Sequence, residues 1–207
     1  MKTFFLNKLL LIYLIVSSFN INIFSQNLVP NPSFENYTTC PNNSGQIFLA
    51  TPWFQPLDIN ISTSDYYNYC NYISFGLGYK KPRTGNAFAG IDIGIDSNGY
   101  NEYIEIRLKD KLKLNYYYCI SFFLTITSYA NYTHDLFCAC FTQDSLLSTI
   151  PGKLIKCPNS TICNLSGNII IDTANWVPIK MLYNSNGQEQ YLTIGNTKAN
   201  ATGNYFF

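Results

Sequence analysis

Between Trp53 and Arg83 the sequence gathers Trp53, Tyr66, Tyr67, Tyr69, Tyr72 and Tyr79, interleaved with Asp65, Asn68 and Asn71. Sugar rings present apolar C–H faces that stack on flat aromatic side chains, while carboxylates and amides bind the hydroxyl groups. The mixture suits a carbohydrate site, with Trp53, Asp65, Tyr66, Tyr69 and Arg83 as its candidate residues. Loop packing is the competing explanation, because a chain with 16% aromatic residues clusters them by chance.

Hydrolytic chemistry has less support. Glycoside hydrolysis needs two carboxylates flanking the scissile bond, and no pair stands out among Asp65, Asp92, Glu102 and Glu105. His134 precedes Asp135, but neighbours along a strand face opposite ways. The sequence has no Gly-x-Ser-x-Gly elbow, phosphate loop or His-rich metal motif. Asp92, Asp96 and Asn98 match no EF-hand spacing and read as a solvated hairpin turn. A non-catalytic binding module is the expectation, with a secreted hydrolase the least favoured reading.

The seven cysteines offer a second chemistry. Cys157 and Cys163 bracket a short loop and are expected to pair, and Cys40 and Cys70 flank an irregular region that a disulfide would staple. An odd count leaves one thiol over. Cys119, inside a strand pattern, is the candidate, as a small hydrophobe. Zinc is the alternative, but there is no Cys-x-x-Cys pair and His134 is the only histidine.

Disulfides require an oxidising compartment, and the N-terminus suggests export. Residues 1–25 read as a secretory signal peptide, with Lys2 and Lys8 in the charged region and Leu9 to Val16 as the apolar one. That run is far shorter than the roughly 20 apolar residues of a spanning helix, so no membrane-spanning segment is expected after cleavage. The mature chain, from Gln26 to Phe207, suits one domain located outside the cell, at the cell surface or in the periplasm. A net charge of +1 argues against nucleic acid or an anionic membrane as partner.

The elements that must position these residues are strands. Asn27 to Tyr37 reads as an extended first strand, Thr38 to Asp65 as a long connection, and Ala87 to Ile95 as a strand before an Asn98-Gly99 hairpin. In Glu102 to Leu108, Ile104, Ile106 and Leu108 are expected to face the core, and Tyr103, Glu105 and Arg107 to meet water. Tyr116 to Thr127 is the longest strand and is expected to be central in its sheet. Leu136 to Thr142 should turn Phe137, Ala139 and Phe141 inward, with Cys138 and Cys140 on the opposite face. Asn168 to Asp172, Trp176 to Tyr183 and Tyr191 to Asn196 follow, with Pro178 marking an edge or bulge. No helical periodicity persists beyond the leader. The fold class predicted is all-β, a jelly-roll β-sandwich of two antiparallel sheets.

The opening Asn27-Leu28-Val29-Pro30-Asn31-Pro32-Ser33-Phe34-Glu35, Pro82-Arg83-Thr84-Gly85-Asn86-Ala87-Phe88-Ala89-Gly90, Tyr118-Cys119-Ile120-Ser121-Phe122, and Glu189 to Asn196 resemble, in this order, galactose-binding-like jelly-roll modules. The closer resemblance is to N-terminal modules of exported proteins from gliding bacteria with type IX secretion, often upstream of an OmpA-like or sorting domain. That resemblance implies binding of carbohydrate or another cell-surface polymer, or a structural role in an outer-membrane-associated protein. It also implies a structural calcium held by Glu35 and an aspartate of the last strand; a carboxylate capping backbone amides is the alternative for Glu35. Because Tyr205-Phe206-Phe207 looks like a strand barely begun, the chain is expected to be a fragment lacking its final strand, which would have neighboured the opening one.

Overall fold

Alternating apolar residues build most of the framework. The structure, a computed structural model, describes residues 26–56, 63–71, 80–94, 101–135, 137–147, 155, 157, 161–197 and 204–206. The leader, Tyr72, Tyr79, Asp96 and the Asn98-Gly99 hairpin lie outside these residues. The chain is an all-β sandwich of antiparallel sheets packed against each other. Among the described residues there is no α-helix, and no helix is long and apolar enough to cross a membrane.

The largest sheet has four strands. β3 (Tyr103–Arg107) pairs with β9 (Tyr191–Gly195), β9 with β6 (Cys138–Thr142), and β6 with β7 (Thr161–Cys163). β1 (Asp65–Asn68) pairs with β2 (Ala87–Gly90), β4 (Tyr117–Leu124) with β8 (Val177–Asn184), and β5 (Tyr132–His134) with β10 (Asn204–Phe206). The core lies between the inner face of the large sheet and the other strands: Ile104, Ile106, Ala139, Phe141 and Leu192 meet Tyr66, Ala87 and Tyr183. Trp53, Ile47 and Ala50 join the same core from the connection before β1.

Several sequence expectations change. The opening stretch is not a strand. Pro30 and Pro32 have no N–H to give a ladder, and Asn31 and Phe34 take positive φ, at 42° and 61°. The stretch is a folded loop tied from within: Asn31 Nδ2 donates to the carbonyls of Asn36 at 2.8 Å and Thr51 at 2.9 Å, and Asn36 N returns a bond to Asn31 Oδ1 at 3.0 Å. It does not neighbour the last strand, because Asn204–Phe206 pairs with β5.

The outer face of β3 meets water at Arg107, as expected, but not at the other two residues. Tyr103 and Glu105 are both fully buried. Tyr103 OH donates to Asn196 O and accepts from Ile155 N, and burial pushes its hydroxyl up to about 12. Glu105 Oε2 accepts from Thr193 Oγ1 at 2.7 Å and Leu146 N at 3.2 Å. Alternation identifies two faces but not whether distant chain covers the second.

β4 is not central, since its only strand partner among the described residues is β8. Asn168 to Asp172 forms no strand; Ile170 O and Asp172 O instead accept from Thr133 Oγ1 and Ile126 N. Pro178 does lie in a strand with one partner, where a missing N–H is tolerated.

Cys40 pairs with Cys70 as expected. Cys157 does not pair with Cys163. The β6–β7 register sets Cys138 opposite Cys163, and these two bond. Cys157 bonds to Cys140, the other cysteine on that face of β6. Cys119 is the free thiol, but it is exposed rather than buried as a hydrophobe.

Candidate functional site

Glu35 is the residue from which the site is built. The folded opening loop aims its carboxylate at the turn before β2, where Oε1 accepts from Asn86 N at 2.9 Å and Ala87 N at 3.2 Å. Gly85 makes this approach possible. It has φ +63°, and a Cβ there would lie 2.2 Å from Glu35 Oε1. The motif Thr84-Gly85-Asn86 thus wraps one carboxylate oxygen in backbone amides.

Around this latch lies a depression of about 360 Å³, lined by Glu35, Tyr37, Asn68, Tyr69, Cys70 and Asn86. Three segments meet there: the opening loop, the end of β1 with its following turn, and the turn before β2. The Cys40–Cys70 disulfide and a bond from Asn71 Nδ2 to Pro41 O hold the second segment in place. Tyr37 and Tyr69 are 42% and 36% exposed, so part of each ring faces solvent. Glu35 Oε2, the Tyr37 hydroxyl and the Asn86 side-chain amide receive no hydrogen bond from the described residues and remain able to make one. Asn68 is committed, its Nδ2 donating to Tyr66 OH and its Oδ1 accepting from Cys70 N.

The residues expected to bind sugar divide between this place and others. Tyr69 lines the depression. Tyr66 lies beneath, fully buried, its hydroxyl donating to Phe34 O at 2.9 Å, and burial raises its pKa. Trp53 is buried as well: it packs against Phe34 with ring centroids 5.0 Å apart and donates from Nε1 to Asn31 O. Neither ring offers a face to a ligand: both are core residues packed against the opening loop. Asp65 is half-buried and occupied, accepting from Gly45 N at 2.7 Å and Tyr67 OH at 2.9 Å. Arg83 is exposed and sits over the Phe123 ring, 3.8 Å from its centroid. Sequence reasoning missed Tyr37 and Asn86. Their signal was adjacency to Glu35 and Gly85 in two motifs far apart in the chain.

The arrangement at Glu35 matches a carboxylate capping backbone amides. One of its oxygens is spent on backbone amides, and no group of three or more Asp, Glu, His or Cys among the described residues could hold a metal ion. Of the carboxylates considered for hydrolysis, Asp65 and Glu102 accept bonds through both oxygens, Glu105 accepts through Oε2 while its buried Oε1 has no partner among the described residues, and Asp92 is exposed. Glu102 Oε1 accepts from Thr63 N and Thr63 Oγ1, and its Oε2 accepts from Asp92 N. Burial raises the pKa of Glu102, Asp65 and Asp92, and the charge of Asp92 adds to the rise at the other two. Asp65 and Glu102 serve as internal acceptors for the backbone amides of Gly45, Thr63 and Asp92.

No protein-family model, curated protein or solved structure matches this chain.

Proposed function

We propose that this chain is an exported, non-catalytic β-sandwich module that binds glycan or another cell-surface polymer through the depression beside Glu35. One observation carries the reading: two partly exposed tyrosine rings flank a carboxylate oxygen, a hydroxyl and an amide that the fold leaves available. Flat rings supply apolar contact to C–H faces, and the three polar groups supply acceptors and donors for hydroxyls. Without Lys2 and Lys8 of the leader the net charge falls from +1 to −1, which suits a neutral polymer better than a polyanion. Export is supported by the apolar leader and by disulfide bonding of six of the seven cysteines.

The test is a polysaccharide pull-down followed by titration calorimetry on residues 26–207 produced under oxidising conditions. Binding that weakens at least tenfold in Tyr37→Ala and Tyr69→Ala, with melting temperature little changed, supports the proposal. Binding unaffected by either change refutes this site, and absence of binding to any polysaccharide refutes the function.

The alternative, an interaction module of an outer-membrane-associated protein, is favoured by a different surface. Tyr117 and Leu182 project from the β4–β8 ribbon with 68% and 63% exposure, and Tyr117 follows exposed Leu114 and Tyr116 in sequence. Loss of partner binding in Tyr117→Ser and Leu182→Ser, with glycan binding unchanged, would select that reading.

A further inference from the structure

We infer that the depression selects neutral over acidic sugar residues, and that Glu35 is the residue that sets this preference. The inference rests on the glycan-binding reading above and names its ligand class. Of the six residues lining the depression, one is a carboxylate and none is a cation. Of the three basic residues on the turn leading to it, Lys81 is exposed and does not line the depression, and the other two are engaged elsewhere. The Lys80 ammonium donates to Thr125 Oγ1, Ile126 O and Thr173 O, and Arg83 is held over Phe123.

The Glu35 carboxylate cannot readily swing aside. Its Oε1 is bound by Asn86 N and Ala87 N, and Gly85 closes in behind it. Oε2 is therefore a fixed acceptor. A sugar hydroxyl can donate to it, while the Tyr37 hydroxyl and the Asn86 amide can both donate and accept. A uronate, sialate or sulfate group placed there brings a second negative charge and no donor. Like charges brought together in a partly desolvated site are rejected, and this is how an interface discriminates by repulsion. The expected preference is at least about tenfold at low salt, narrowing as salt screens the pair.

The experiment pairs oligosaccharides of matched length, a neutral xylan or galactan fragment against a glucuronate-bearing or galacturonate one. Each is titrated into the intact module, into Glu35→Gln and into Tyr37→Ala. Glu35→Gln keeps an oxygen for the two backbone amides, so its melting temperature serves as the folding control. The inference predicts that the neutral ligand binds tighter to the native protein. It also predicts that Glu35→Gln narrows the gap, chiefly by improving the acidic ligand, and that Tyr37→Ala weakens the neutral one. Equal or tighter binding of the acidic ligand overturns the inference, as does a gap unchanged in Glu35→Gln. If neither class binds, or binding ignores Tyr37→Ala, the glycan reading itself fails.

Discussion

Replacing Glu189 by glutamine probes how firmly one turn holds the sandwich together. Glu189 is 1% exposed between β8 and β9. Its Oε1 accepts from Tyr183 OH and from Asn186 N at 2.9 Å; its Oε2 accepts from Ser185 Oγ at 2.7 Å and Gln188 N at 2.9 Å. Burial works to raise its pKa, but the bonds from Tyr183, Asn186 and Ser185 outweigh burial and pull it from 4.5 to about 2. By linkage, that difference contributes about 3 kcal/mol of stability at neutral pH. Counting bonds leads to a similar figure. Glutamine keeps one acceptor and turns an NH₂ toward two donors, losing two charge-assisted bonds of roughly 1.5–3 kcal/mol each. The sign follows from a depressed pKa: the contribution is present above about pH 4.5 and is lost as pH falls through about 2. Urea unfolding with the disulfides intact, from pH 7 to pH 2, is the assay. Glu189→Gln should be less stable by about 3 kcal/mol at pH 7, with most of that gap closing by pH 2. A gap under about 1 kcal/mol at pH 7, or one unchanged at pH 2, refutes the reasoning. Tyr183 stacks on Phe141 at 4.5 Å, so a real loss here reaches the core.

Gly85→Ala places a Cβ on the Glu35 carboxylate at positive φ; thermal unfolding should show a loss of about 1–2 kcal/mol from backbone strain alone, and glycan titration should show weaker binding. Asp92→Asn removes a negative charge that acts on both Asp65 and Glu102. Raised carboxyl pKa values mean that ionisation costs stability as pH rises through the folded values, so this variant should melt higher than the native protein at pH 7 and alike at pH 4. Non-reducing peptide mapping should recover the Cys138–Cys163 and Cys140–Cys157 links, and a thiol reagent should label the native protein once, at Cys119; a Cys157–Cys163 link would contradict the β6–β7 register.

Legibility differed between elements for physical reasons. β3, β4, β6, β8 and β9 were readable because side chains alternate with period two, and that signal is local. The inward turn of Ala139 and Phe141 followed from the same rule, as did a shared face for Cys138 and Cys140. Burial of Glu105 was not readable, because what covers it arrives from Leu146, 41 residues later in the chain. The opening loop misled for a related reason. Pro-x-Pro suggests extended chain, while its actual shape depends on Asn31 reaching Thr51, Trp53 reaching Asn31 and Tyr66 reaching Phe34. Aromatic residues in the loops likewise carried no label distinguishing a ring that packs, such as Trp53, from one that faces water, such as Tyr37.

By itself, then, the sequence determined the all-β class, the period of most strands, the Cys40–Cys70 staple and the identity of the odd thiol. All but the staple, which joins residues 30 apart, depend on composition, parity or neighbours within a few residues. The tertiary structure decided which faces are covered, which cysteines of β6 meet which partners, and which polar groups converge beside Glu35. Those depend on register and on contacts across 17 to 93 residues of chain. Closing such loops is settled by the free energy of the whole packed arrangement rather than by any local preference.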